Sequence, residues 1–237
     1  MKDHVEHYKR DGDYFDYQDY ITPGRREVER RRNQVIISVV KNVKAAGKIL
    51  DVGSGSGELA MGLTDTVNSV FPVDLSLKNL KFFSHDHGIS PVMADGYKLP
   101  FKNESFDAVI LSSILEHCEE PSDMLREMNR LLKQGGALIA VTPYNEKIIY
   151  HQCIHCNKKT PAYAHLHSFR EANLGSLIRE NGFEINRILK FANKGMDITR
   201  INLMLKSLSL NLWRVFDRFA NLLLNRPEFI LMVGRKL

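Results

Sequence analysis

The sequence predicts an α/β protein, with a mostly parallel sheet and helices on both faces. Three observations carry that expectation. Short apolar runs alternate with segments of helical periodicity from residue 48 onward. The first apolar run passes into a glycine-rich loop that opens a helix. The chain has 237 residues, of which 43% are hydrophobic and 26% charged. It is long enough for a real core, and its composition excludes disorder, collagen and low-complexity arrays.

The elements follow in order. Residues 1–24 are polar and rich in tyrosine, and read as a loose arm ended by Thr22-Pro23-Gly24. Val28, Val35, Val39 and Val43 recur near helical spacing and predict a helix from Arg25 to about Lys44. Lys48 to Val52 reads as a buried strand, followed by Gly53-Ser54-Gly55-Ser56-Gly57 and a helix from Glu58. Ser69 to Asp74 is a second strand, weakened by Pro72, with a helix from Ser76 to about His85. Pro91 to Ala94, Phe106 to Leu111 and Ala137 to Val141 are strands three, four and five. The helix opened by Pro121 lies between the last two, and Gly135-Gly136 is expected to end it. Glu171 to Asn181 is a helix closed by Gly182, and Phe183 to Leu189 and Phe229 to Val233 are two further strands. No linker splits the chain. It reads as one domain with an arm and helix (1–45), a core (46–190) and an insertion (198–224) before the last strand.

Charge narrows the partners. The net charge is +5, but 33 basic residues face 28 acidic ones and the signs are mixed. That pattern disfavours a nucleic-acid partner, which calls for clustered Lys and Arg. No stretch reaches the length of a membrane span, and Met1 to Tyr20 has no apolar signal region, so a cytoplasmic location is expected. Three cysteines (Cys118, Cys153, Cys156) make no disulfide framework and suit a reducing compartment.

The glycine loop carries the first chemical signal. Glycines allow a tight turn and close approach of a ligand, and the helix behind supplies free N–H groups and a positive dipole end. The spacing is G-x-G-x-G at 53, 55 and 57; a dinucleotide fingerprint would place glycine where this chain has Glu58. Asp51 lies at the end of the first strand. Asp74 ends the second strand, where a carboxylate can accept from both ribose hydroxyls. Asp95 follows the third and can meet an adenine amino group. Each feature alone has an ordinary reading as a turn or a helix cap. Their order in one βαβαβ half makes the joint reading far stronger.

Ile49 to Gly57 resembles motif I of the class I S-adenosylmethionine-dependent methyltransferases. Val73-Asp74-Leu75-Ser76 is similar to the motif II acid. Ala94-Asp95-Gly96, Leu99-Pro100-Phe101, Ser105 to Val109 and Ile114-Leu115-Glu116-His117 resemble the small-molecule branch, which includes the ubiquinone/menaquinone-biosynthesis type. The resemblance covers roughly 46–190. It implies a Rossmann-like seven-stranded sheet of order 3-2-1-4-5-7-6 with strand seven antiparallel. It implies S-adenosylmethionine as cofactor, with Asp74 at the ribose, Asp95 at the adenine end, and Leu75, Ala94 and Gly96 also binding the cofactor. Gly53, Gly55 and Gly57 would let the backbone pass close to the methionine portion, Asp51 and Ser54 would also bind the cofactor, and Ser112 or Ser113 would face the sulfonium side.

Methyl transfer from a sulfonium is an in-line displacement, for which a protein chiefly aligns the partners. His117 is the candidate base, with a packing or capping role as its equal alternative. The Asn/Asp-Pro-Pro-Tyr/Phe motif of nucleobase N-methylation is replaced here by Ser112-Ser113-Ile114-Leu115. A small-molecule acceptor with oxygen or carbon ahead of nitrogen is therefore expected. The rival readings are a cofactor-binding or zinc-bearing partner protein without catalysis, and a nicotinamide-dependent oxidoreductase, which Glu58 disfavours.

Cys153, Cys156 and His165 are candidate Zn²⁺ ligands, since one CxxC can grip a tetrahedral ion. This segment resembles a subset of the family with CxxC and two spaced histidines. Pro161 stands where the other histidine is expected, which leaves His151, His155 or His167 as the fourth ligand. The stretch from His165 to Phe169 equally resembles family members in which the histidine borders the acceptor pocket and no metal is bound. In 198–224, Leu205, Leu208, Leu212, Phe216, Phe219 and Leu223 share a helical face, and Arg200, Lys206, Arg214 and Arg218 outnumber Asp217. Packing on the sheet edge or on a homodimer partner is the favoured reading of that stripe. A lid over a lipid-like acceptor and an anionic membrane surface are the alternatives. Tyr14, Tyr17 and Tyr20 are the candidates for a lid formed by the arm.

Overall fold

The computed structural model describes residues 2–14, 21–43, 47–83, 88–154 and 157–237. The centre is a seven-stranded sheet built from β1 (Lys48–Val52), β2 (Ser69–Asp74), β3 (Val92–Met93), β4 (Phe106–Ser112), β5 (Leu132–Pro143), β8 (Phe183–Asn193) and β9 (Pro227–Lys236). Its order is β3-β2-β1-β4-β5-β9-β8. A separate hairpin, β6 (Tyr150–Gln152) with β7 (Lys159–Pro161), interrupts the numbering. Counted within the sheet alone, the order is the expected 3-2-1-4-5-7-6. β9 runs antiparallel to both neighbours and the rest are parallel.

The central strands are apolar on both faces because both are covered. On one face Ile49, Ala108 and Ile139 pack with α2 (Pro23–Asn42) and α3 (Glu58–Leu63) through Val35, Val39, Leu59 and Leu63. On the other, Leu50, Val109 and Leu138 pack with α5 (Pro121–Leu131) and α6 (Glu171–Glu180) through Met124, Met128, Leu174 and Ile178. Helix α4 (Leu77–Leu80) is capped by the Ser76 hydroxyl, which accepts from the Asn79 N–H.

Three local expectations are corrected. The arm is not loose throughout, since Lys2–Tyr14 form helix α1. Gly135-Gly136 do not end a helix: α5 stops at Leu131, and the glycines lie inside β5, at a register shift against β4. Gly135 has φ +72°, which accommodates that irregularity. Pro72 sits within β2 without breaking it. Val70 donates towards β3, to the Gly88 carbonyl, so Pro72 two residues on faces the same side. It falls in the gap between the Ile89 bridge and the start of β3 at Val92, where no ladder donor is needed.

The insertion forms α7 (Lys194–Ile198), α8 (Ile201–Met204) and α9 (Leu210–Leu223). It is bolted on largely by polar contacts. Arg31 of α2 is 0% exposed. It pairs with Glu27, donates to the carbonyls of Leu205, Lys206 and Leu208, and lies over the Trp213 ring. Asp217 accepts from the Ala192 and Asn193 N–H groups at 3.1 and 2.8 Å. The sheet-edge half of the expectation for the stripe is corrected in part. Leu205 packs against the core, but Leu212, Phe216, Phe219 and Leu223 point outward.

Candidate functional site

A cavity of about 660 Å³ opens at the C-terminal ends of β1, β2 and β4, where open α/β sheets bind ligands. Gly53, Gly55 and Ser56 form one wall. Asp74 and Leu75 end β2 beside them, with Ala94, Asp95 and Gly96 after β3. Ser113, Ile114, His117 and Cys118 enter from the segment after β4. The sequence-predicted acids, loop glycines and His117 therefore meet in one space.

The glycines divide by role. Gly53 has φ +71°, and a side chain there would strike Ile114. Gly55 has φ +50°, with open space where a Cβ would point. Gly57 does not line the cavity; its missing side chain makes room for the Phe83 ring. Its expected place beside a ligand is thus corrected to a packing position.

Asp74 fixes the loop. Its Oδ2 accepts from the Gly55 N–H at 2.9 Å, and its Oδ1 accepts from the Ser76 N–H at 2.8 Å and from Asn79 Nδ2 at 3.3 Å. Asp95 Oδ1 accepts from the Tyr97 N–H at 3.0 Å, which shapes the turn after β3.

Behind the glycine loop lies a second recess of about 50 Å³, lined by Arg32, Asp51, Ser54 and Ser112 among others. Asp51, Ser54 and Ser112, expected by the ligand, sit here rather than in the main cavity. Each contributes a buried polar atom with no partner: Asp51 Oδ2, Ser54 Oγ and Ser112 Oγ, joined by Arg32 Nε. Burial, reinforced by the Asp74 charge and opposed by Arg32, pushes the Asp51 carboxyl up to about 7.

At the other end, His117 Nδ1 lies 3.3 Å from the Ala164 carbonyl, which assigns the proton of the neutral ring to Nδ1 and its basic lone pair to Nε2. The His117 ring meets Tyr8 edge-on at 5.9 Å and His165 at 4.7 Å. The 165–167 segment is strapped to this region. The Leu166 and His167 N–H groups donate to the Glu116 carbonyl, and His167 Nε2 donates to the Cys118 carbonyl at 2.8 Å. Glu116 is buried, with both carboxylate oxygens lacking a partner, and burial pushes it up to about 8. Burial likewise raises the Cys118 thiol to about 12, so it stays protonated at neutral pH.

The expected zinc set does not assemble among the described residues. Cys153 lies at the tip of the β6–β7 hairpin, its N–H bonded to the Lys158 carbonyl at 2.9 Å. Cys156 and His155 fall outside the described residues. His165 Nδ1 instead contacts the Glu146 carboxylate. Among the described residues, the one group of three potential ligands within 4.8 Å of one another is Glu116, His117 and His165. This arrangement gives zinc no support.

The sequence reading missed α1. Tyr8 and Gly12 line the cavity, whereas Tyr14 is 85% exposed, and Tyr17 and Tyr20 fall outside the described residues. Gly12 packs on Ser76, where an added Cβ would come within 2.4 Å of the Ser76 Cβ. The signal was a glycine in an otherwise helical polar stretch. Met61, Tyr97 and Met124 also line the cavity, and their apolar periodicity looked only like core.

Residues 50–140 match the family model described as a methyltransferase domain. The central part of this chain is therefore similar to methyltransferase domains. Its sequence is 33% identical over 122 residues to a demethylmenaquinone methyltransferase of Streptomyces griseus, covering 51% of each chain. It is 33% identical over 103 residues to a malonyl-[acyl-carrier protein] O-methyltransferase of a Marinomonas species, covering 41% of this chain and 38% of that one. The chain spans about half the length of the curated relatives it matches, or less. In structure, an S-adenosylmethionine-dependent methyltransferase from Mesorhizobium loti superposes with a TM-score of 0.60 at 19% identity, over 85% of this chain and 96% of that one. That likeness establishes the class I methyltransferase fold. The matched residues end at 140, before the hairpin and the insertion.

Proposed function

We propose that the chain is an S-adenosylmethionine-dependent methyltransferase acting on a small molecule, with an oxygen or carbon acceptor ahead of nitrogen. One observation carries the cofactor reading. Four orphaned buried polar atoms, on Arg32, Asp51, Ser54 and Ser112, surround a recess beneath the glycine loop. Buried polar groups without partners cost free energy unless a ligand or water satisfies them. A zwitterionic amino-acid end, with its own donors and acceptors, fits that set. The open space beside Gly55 supports the same reading, because a side chain there would occupy the ligand's volume.

When bound, S-adenosylmethionine supplies an already activated methyl group on its sulfonium. The chain's residues then have four tasks. Asp74 has lone pairs left for the ribose hydroxyls after its bonds to Gly55, Ser76 and Asn79. Asp95 and Gly96 meet the adenine end. Tyr8 and Ile114 shield the reacting region from water. His117 receives the acceptor's proton at Nε2 where the acceptor carries one. One relative is an O-methyltransferase, which agrees with the preference for oxygen.

The test is calorimetric titration with S-adenosylhomocysteine and, separately, with NAD. Binding of the first and not the second is expected, followed by an acceptor screen. NAD binding without S-adenosylhomocysteine binding would replace this reading with the oxidoreductase one.

A further inference from the structure

Helix α9 presents an apolar face to solvent. Leu212, Val215, Phe216, Phe219, Leu222 and Leu223 are 54%, 62%, 49%, 61%, 81% and 66% exposed. Their spacing of three and four residues sets them on one side of the helix. The opposite side carries Trp213 and Asp217, 1% and 2% exposed, which hold the helix to the fold. The exposed face is therefore no accident of a loosely placed helix. Trp213 Nε1 donates to Asn202 Oδ1, and Asp217 binds two backbone N–H groups at the end of β8. Rotating the helix to hide the apolar side would bury its leucines and phenylalanines against those groups and strip them of partners. A contiguous apolar patch kept outward by polar anchors marks a surface meant for something else.

The charge around it identifies the occupant. Residues 194–226 contain six Lys and Arg against two Asp. One of the two acids, Asp217, is turned inward and bonded. Arg200, Lys206, Arg218 and Arg226 are exposed. Arg218 lies one helical turn before Leu222, at the border of the apolar face, and Arg226 follows the end of the helix. A second copy of the chain joined about a two-fold axis would set these cations against themselves. A surface of anionic lipid headgroups meets them with opposite charge. Phe and Leu on such a helix enter the boundary between headgroups and acyl chains.

We propose that α9 docks this protein on an anionic lipid surface, lying in the interface plane without crossing it. No helix among the described residues is long and apolar enough to cross a membrane. No residue of α9 lines the cavity, so the helix anchors the chain beside a bilayer and does not cover the acceptor. The proposal stands apart from the methyltransferase reading, since it uses none of the cavity residues.

The experiment is flotation of the full chain with vesicles of phosphatidylcholine alone, and with vesicles in which one third is phosphatidylglycerol. Binding to the anionic vesicles is expected to exceed binding to the neutral ones roughly tenfold and to weaken as salt is added. The Phe216→Ser/Phe219→Ser double variant should lose flotation while keeping the parent's circular dichroism and melting temperature. Arg218→Glu should lower binding to anionic vesicles only. Equal recovery of the double variant and the parent overturns the proposal, as does a parent that stays with the soluble fraction. Sedimentation equilibrium read in parallel covers the remaining occupant: a parent dimer that the double variant dissociates, with no flotation, assigns the face to a second copy.

Discussion

The Gly55 N–H donates to the Asp74 carboxylate at 2.9 Å, so the acid that ends β2 also fixes the loop that follows β1. One side chain thus shapes the wall of the cavity and faces its contents. Asp74→Ala removes both functions. S-adenosylhomocysteine affinity is expected to fall by a factor on the order of ten to a hundred, equivalent to about 1.4–2.7 kcal/mol. Calorimetry on the folded variant checks it, and an unchanged dissociation constant would remove Asp74 from the site.

Asp51 makes stability and binding depend on pH in opposite senses. Its carboxyl rises from 3.8 to about 7 on folding, because burial disfavours the charge. Between those values the folded state holds a proton that the unfolded chain has released. The stability of the free protein therefore falls as pH rises from about 4 to 7, by a few kcal/mol at most. Asp51→Asn should flatten that slope in urea titrations at a series of pH values. Affinity for a ligand with a cationic ammonium should instead strengthen as pH rises through 7. A parent slope that persists in the variant would show that another group is responsible.

Helix α1 reaches the cavity only because residue 12 has no side chain. Gly12→Val would drive a methyl group into Ser76 and lift α1 away. Faster tryptic cleavage within residues 2–14 is expected, with S-adenosylhomocysteine affinity weakened several-fold and the melting temperature nearly unchanged. Intact protection of α1 in the variant would contradict the packing described.

Asp217 is a structural acid. Asp217→Ala leaves the Ala192 and Asn193 N–H groups buried without an acceptor, at a cost of about 1–3 kcal/mol for each. Denaturant melts should register the loss while S-adenosylhomocysteine affinity, measured well below the transition, stays at the parent value. Loss of ligand binding at full folding would instead tie the insertion to the cavity.

The parts of the site that sequence made legible are those where backbone conformation demands a residue type. Gly53 and Gly55 need positive φ, and Asp74 and Asp95 sit where strands stop, so strand ends and glycines announced them. Of the two serines left open for the sulfonium side, the main cavity takes Ser113 and the rear recess Ser112. The strand continues through Ser112, whose hydroxyl faces the rear recess, and Ser113, at φ +56°, turns into the cavity instead. A one-residue change of facing is what period-two alternation makes hardest to fix from a strand end. Helix α9 was legible as amphipathic, but its orientation was not. Trp213 and Asp217 decide which side faces in, and a buried, doubly bonded aspartate resembles a surface acid in sequence.

Arg31 has a consequence for how the chain is made. Its bonds to the carbonyls of Leu205, Lys206 and Leu208 span 174–177 residues of sequence. During synthesis α2 leaves the ribosome long before those acceptors exist, and its guanidinium must remain hydrated until they arrive. The sheet's last strand also comes after them, between Pro227 and Lys236. Closure around Arg31 therefore waits until residues 205–208 have been made, late in the folding of this sheet. A truncation anywhere before residue 205 would leave a hydrophobic half-sheet and an unpaired cation together, the kind of species that chaperones retain and proteases clear.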